Sequence, residues 1–152
     1  MHVCLTGGAG YIGSHILVGL LDGGHDVLVV DNCENSSPTC LQHVRQLTGG
    51  QFDVLKEDIC NRPTLSASLS ALSPDIIIHC AGLKAVEESQ EQPLRYYRTN
   101  VEGLISLLEA MMRQAASASF CHLPPLSMAR RVTLPITRRI RWHRSMSMGA
   151  PR

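Results

Sequence analysis

The chain has 152 residues, 44% hydrophobic and 18% charged, which is room for one domain and the composition of a soluble globular protein. No apolar run approaches the roughly 20 residues that a membrane span needs, which argues against a membrane protein. The net charge of +1 hides a seam: up to residue 114 seven Lys or Arg are outnumbered by all thirteen Asp and Glu, whereas residues 115–152 carry seven Arg and no acid.

In chain order, His2–Thr6 reads as a short buried strand, not a signal peptide, because no basic region precedes it. Gly7–Gly10 is a tight loop. Tyr11–Leu21 has apolar residues at helical spacing (Ile12, Ile16, Leu17, Leu20, Leu21) and stops at Gly23-Gly24. His25–Val30 is a second strand ending at Asp31, and Asn35-Ser36-Ser37-Pro38 opens a loop and a helix running to Leu47. Phe52–Lys56 is a third strand. Asn61 is expected to cap the next helix, with Pro63 in its first turn and Ser73-Pro74 as its end. Asp75–Cys80 is a fourth strand, apolar enough to be buried on both faces, and Pro93–Gln114 reads as one long helix.

Strand and helix alternate four times, the pattern of an α/β, doubly wound parallel sheet of about four strands in the order 3-2-1-4. The regularity stops at Gln114. The expected organisation is therefore one domain over residues 1–114 and an irregular, arginine-rich tail over 115–152.

The segment Thr6-Gly7-Gly8-Ala9-Gly10-Tyr11-Ile12-Gly13 links the first strand to the first helix. Its glycines Gly7, Gly10 and Gly13 have the physics of the Rossmann fingerprint with one spacing changed. One makes a tight turn, one lets backbone approach a pyrophosphate, and one lets helix and strand pack closely. The helix N-terminus adds free N–H groups and a partial positive charge. An acid, Asp31, ends the second strand 18 residues after Gly13, where a carboxylate bonds ribose hydroxyls and repels a 2′-phosphate. The expectation is a dinucleotide-binding domain that prefers NAD to NADP. Asp58, Ile59 and Ala81-Gly82-Leu83-Lys84 follow the third and fourth strands, at the carboxyl ends where open parallel sheets bind ligands. His79 and His15 read as structural histidines. The six cysteines form no Cys-x-x-Cys pair and no zinc spacing, so no metal is expected. They read as small buried hydrophobes, and the nucleotide motif favours a reducing cytoplasm.

Several blocks resemble the UDP-glucose 4-epimerase family of extended short-chain dehydrogenases: Thr6 to His15, Asp31-Asn32, Asp58-Ile59 and, most specifically, His79-Cys-Ala-Gly-Leu-Lys-Ala-Val86. Pro93-Leu94, Tyr96-Tyr97, Asn100-Val101 and Gly103 continue the match. Cys80 departs from it, where the family usually has an aromatic residue, and so does Glu87, where it usually has glycine. The likeness covers residues 1 to about 114, a third of such an enzyme. It implies NAD contacts from Gly7, Gly10, Tyr11, Ile12, Gly13, Asp31, Asn32, Asn35, Ser36, Asp58, Ile59, Cys80, Ala81, Gly82, Leu83, Lys84 and Asn100. It also implies a UDP-hexose substrate, a role in galactose metabolism and a homodimer. In the family's reaction bound NAD serves as a transient oxidant at C4 of the hexose, and the 4-keto sugar turns over before hydride returns to its other face.

The family's base is a tyrosine with a lysine four residues later, on one helix face, whose charge favours tyrosinate. Here Tyr11 is followed at that spacing by His15, Tyr96 by Asn100 and Tyr97 by Val101, so no catalytic residue is assigned. The tail offers a reason. The family's Ser-Ser-Ser-Ala-Thr-Val-Tyr-Gly, coded TCA TCT TCC GCC ACT GTC TAT GGC and read one base late, gives the sequence of His122–Ala129. Tyr-Gly-(Arg or Ser)-(Ser or Thr)-Lys shifted likewise can give Met148–Arg152, codon choice being free. The expectation is an epimerase N-terminal part with a frameshifted, inactive end. Its fourth strand would then be an apolar edge at Ile76–Ile78, prone to aggregate, with weak NAD affinity and low unfolding cooperativity. The competing reading is a non-catalytic NAD-binding module whose basic tail binds an acidic partner. Poor aromatic interleaving (Phe120 and Trp142 alone) argues against nucleic acid.

Overall fold

The structure, a computed structural model, describes residues 1–113 and the backbone of 119–122. Five parallel strands, β1 (His2–Thr6), β2 (Asp26–Val30), β3 (Asp53–Leu55), β4 (Ile76–His79) and β5 (Ser119–His122), form one sheet in the order β3-β2-β1-β4-β5. The doubly wound α/β class and the order of the first four strands are as the sequence implied. The count of four strands and the exposed edge are corrected. β5 pairs with β4 in the register Ile76↔Ser119 to His79↔His122, so Ile76–Ile78 lie inside the sheet. The strand falls within the stretch expected to be irregular, because a four-residue strand leaves too little periodicity to be read against an arginine-rich background. The shifted-frame pattern beyond His122, and the basic tail that carries it, lie outside the described residues.

Strand residues alternate between two cores. Val3, Leu5, Val27 and Val29 face α1 (Tyr11–Asp22) and α2 (Pro38–Thr48), meeting Leu17, Leu41 and Val44. Cys4, Leu28, Val30 and Ile77 face the other way, against Leu65 and Leu69 of α3 (Arg62–Leu72) and Leu107 of α6 (Gly103–Arg113). Burial on both faces is why β1, β2 and β4 read as near-continuous apolar runs. Arg62 ties α3 to α6 through Glu109 at 2.9 Å and Ser106 Oγ at 3.2 Å.

The helix ends follow from local chemistry. Ser37 Oγ accepts from Thr39 N–H at 3.3 Å and Pro38 takes the first position of α2, which stops at Gly49 with φ 65°. Asn61 stands at the start of α3 but makes no side-chain cap; Asp58 Oδ1 instead accepts from Cys60 N–H at 2.8 Å and turns the chain one step earlier. The expected long helix is three segments: α5 (Pro93–Tyr97), a π-helical turn (Arg98–Glu102) and α6, with Gln114 outside the described residues. The short α4 (Val86–Glu91) was not anticipated, because its six polar-rich residues show no apolar period.

Candidate functional site

The first helix opens without a side-chain cap. Gly10 is its N-cap and the first intrahelical bond is Ser14 N–H to Gly10 C=O at 2.9 Å, which leaves the amides of Tyr11, Ile12 and Gly13 with no intrahelical acceptor. Gly7 has φ +72°, and a Cβ there would stand 2.5 Å from the Ala81 nitrogen, so the turn after β1 lies against the loop after β4. A Cβ on Gly13 would come 2.0 Å from the Gly7 carbonyl oxygen. The third glycine of the motif therefore seats the helix on the turn, as the spacing argument requires. Gly8 was given no role by that argument, yet a Cβ there would meet Val29 Cγ1 at 2.8 Å. Gly8 and Ala9 are buried between half-buried Gly7 and Gly10, which a spacing rule does not carry.

Asp31 is buried and binds both neighbouring loops. Its Oδ2 accepts from Ala9 N–H at 2.9 Å, and its Oδ1 accepts from Cys33 N–H at 2.9 Å and Ser36 Oγ–H at 3.0 Å. A carboxylate has about four lone-pair positions, so acceptor capacity remains on the cleft side. Asn32 Nδ2 donates to Asp58 Oδ2 at 3.3 Å, joining the loops after β2 and β3. Below, Thr6 Oγ1 and His79 Nδ1 share a buried hydrogen bond of 2.6 Å that joins the ends of β1 and β4. The His15 ring nitrogen lies 2.7 Å from the Tyr11 carbonyl oxygen on the exposed face of α1.

These loops enclose a cleft of about 390 Å³ at the carboxyl ends of the strands. It brings together Gly7, Gly10, Tyr11, Ile12, Gly13, Asp31, Asn32, Asn35, Ser36, Asp58, Ile59, Cys80, Ala81, Gly82, Leu83 and Lys84. Asn100 is not among its lining residues. Its Oδ1 accepts from Leu83 N–H at 2.8 Å and its Nδ2 donates to the Leu83 carbonyl at 2.9 Å, so it grips the peptide that forms the wall. Glu34, Glu57, Val30 and Thr99 also line the cleft and were missed. Thr99 reaches it because the π-helical turn changes the phase of the helix, which apolar spacing does not reveal. Asp31, Glu34, Glu57 and Asp58 line the cleft with one lysine, Lys84, and with Glu34 ion-paired to Arg95 at 2.6 Å the remaining three carboxylates still leave the cleft acidic.

The thiols are not all buried. Cys4 and Cys80 are; Cys33, Cys40 and Cys60 are half-buried, and Cys4, Cys33, Cys40 and Cys60 are free thiols. Burial pushes the Cys4 thiol up to about 12, and burial followed by Asp58 pushes Cys60 up to about 11. Among the described residues no group of three His, Cys, Asp or Glu is placed to hold a metal.

The family profile described as GDP-mannose 4,6 dehydratase matches residues 4–123. The chain belongs to that family. Within the GDP-mannose 4,6 dehydratase family it is similar to UDP-glucose 4-epimerase 2 of Arabidopsis thaliana, 49% identical over 112 residues, which cover 72% of this chain and 32% of that protein. Among solved structures, the UDP-glucose 4-epimerase of Stenotrophomonas maltophila with bound NAD and formylated UDP-arabinopyranose is 40% identical with a TM-score of 0.75, covering 79% of this chain and 36% of its own. That of Bifidobacterium longum, in complex with NAD+ and UDP, is 39% identical with a TM-score of 0.72, covering 74% and 34%. This family member thus spans about a third of the length of the curated relatives it matches.

Proposed function

We propose that the chain is the NAD-binding part of an enzyme that interconverts UDP-glucose and UDP-galactose. The observation that carries this reading is the meeting, at one sheet end, of an uncapped helix N-terminus with a buried Asp31 that holds the loops on either side of it. The amides of Tyr11, Ile12 and Gly13 would take the diphosphate, and Asp31 the ribose hydroxyls. Asp31, Glu57 and Asp58 against one lysine, with Glu34 paired to Arg95, repel a 2′-phosphate and so support NAD over NADP. NAD, when bound, supplies the reversible oxidation at C4 of the sugar. Asn100, through its hold on Leu83, would set the wall against which the cofactor lies.

The sequence has no tyrosine with a lysine four residues on. Nor does Tyr96 stand in for one. Burial pushes its hydroxyl up from the ordinary tyrosine value, and its bond to Glu88 adds to this, opposite to what a base requires. The chain is therefore proposed to bind NAD without turning over sugar. The frameshift reading of the tail is supported by the family match ending at 123, beside the start of the shifted pattern at His122. A homodimer of the intact enzyme is proposed on the exposed apolar residues Leu94, Tyr97, Val101 and Met112. Among the described residues no helix is long and apolar enough to cross a membrane, and a cytoplasmic location is proposed on the free thiols of Cys4, Cys33, Cys40 and Cys60.

The test assays UDP-galactose epimerisation by this chain and by the same gene with its reading frame restored across codons 113–122. Activity only after restoration supports the proposal. NAD uptake by both forms with activity in neither overturns the epimerase reading. Nucleic-acid binding lost on removal of residues 115–152 favours the binding module with a basic arm.

A further inference from the structure

The two walls of the cleft come from distant parts of the chain. One is the loop after β2, which carries Asn32, Glu34, Asn35 and Ser36; the other is built by Leu83 and Lys84 of the loop that leads into α4 and by Thr99 of the π-helical turn after α5. A single guanidinium joins them. Arg95 Nη2 donates to Glu34 Oε1 at 2.6 Å, across 61 positions of sequence, while Arg95 Nη1 donates to Glu88 Oε1 on α4. The fork of arginine suits this use, since each terminal nitrogen can serve a separate carboxylate.

The two ends of the bridge differ in stiffness. On the helix side, Glu88 Oε2 accepts from Tyr96 O–H at 2.7 Å, and the Tyr96 ring is buried. On the loop side, Glu34 is exposed, and its loop is otherwise held from within by Asp31, through Cys33 N–H and Ser36 Oγ–H, and by Asn32. An arriving ribose must share Asp31 with those two donors. The outer tie to Arg95 keeps the loop in place while it does so.

We propose that Arg95 is a strap across the mouth of the cleft, a positioning residue that makes the ribose wall and the helix wall move as one body and slows the departure of a bound dinucleotide. The kinetic consequence rests on the dinucleotide reading above; the mechanical coupling does not. The three side chains are one-third to two-fifths exposed, so added salt should weaken the strap without dissolving the sheet.

The experiment compares the full chain with Arg95→Met, Glu34→Gln and the double variant. Glu34→Gln removes the charge from the branch that crosses the cleft, leaving at most a neutral hydrogen bond, and lies in a loop, so it spares the core. Amide hydrogen exchange without ligand is read at residues 33–37 and, as control, in β1 and β2. Dissociation of NADH is followed by its fluorescence at low and high salt. The expected result is faster exchange in the loop alone, NADH dissociation roughly three- to tenfold faster in either single variant, and no further gain in the double variant. The association rate should stay within about twofold, and wild type in high salt should approach the variants. Unchanged loop exchange in both single variants overturns the strap. So does NADH dissociation that matches wild type. If wild type takes up no NADH, the dinucleotide reading fails and the exchange measurement alone decides the strap.

Discussion

A methyl group on Gly13 would sit 2.0 Å from a backbone oxygen that has no freedom to retreat. Gly13→Ala should therefore destabilise the fold by roughly 3 kcal/mol and abolish dinucleotide uptake, read by denaturant unfolding and by calorimetric titration. Thiol chemistry offers a second test at this scale. With Cys60 raised to about 11 and Cys4 to about 12, the thiolate of Cys60 at pH 8 is about one part in a thousand. Iodoacetamide should leave both unmodified in the native chain and label them once it is unfolded, as peptide mass spectrometry would show. Glu88 gives the pH dependence its sign. The bond from Tyr96 O–H, and then Arg95, hold its carboxyl below the ordinary 4.5, so its contribution is present above pH 4.5 and lost as pH falls below that value.

At the scale of elements, the sheet is stapled from both faces, and the α3–α6 face carries the wall that holds Thr99. Leu107 on α6 is fully buried among Leu65, Leu69 and Ile77. Leu107→Ala should cost about 2–5 kcal/mol in urea unfolding, with the cavity it leaves opposite β4 deciding where in that range it falls. Asn100 acts through Leu83, and its removal frees both backbone groups of that peptide. Asn100→Ala should raise the dissociation constant for NAD and cost about 1–3 kcal/mol of stability in urea unfolding, because Leu83 is buried and both its backbone groups lose their partner. The alternation of strand and helix made the sheet legible, along with Gly7, Asp31 and the loop after β4. The π-helical turn was not legible. It ends at Gly103, which packs so closely on Ile59 that a Cβ there would stand 2.5 Å from Ile59 Cδ1, a tertiary contact that no local spacing reveals.

For the molecule as a whole, linkage supplies the decisive measurement. A ligand that binds only the folded chain stabilises it, by about 2.7 kcal/mol at a hundred times its dissociation constant. Saturating NAD should raise the thermal midpoint by several degrees, and NADP should raise it far less, since Asp31, Glu57 and Asp58 outnumber Lys84 in the cleft while Glu34 is paired with Arg95. Equal shifts from the two cofactors would remove the electrostatic argument. Covered by β5, the β4 edge loses its unpaired backbone, so aggregation through Ile76–Ile78 is no longer expected of the folded chain.

Sequence alone determined the parts that local chemistry controls: which runs bury both faces, where a glycine must make a turn, and which acid follows the second strand. Each is written within a few neighbouring residues. Tertiary structure alone decided the fifth strand beside Ile76–His79, the entry of Thr99 into the cleft, Asn100's grip on Leu83 and the junction of Glu34 with Arg95. Those depend on pairs 17 to 61 positions apart, or on a helical phase shift, and no short-range period encodes the distance between such groups.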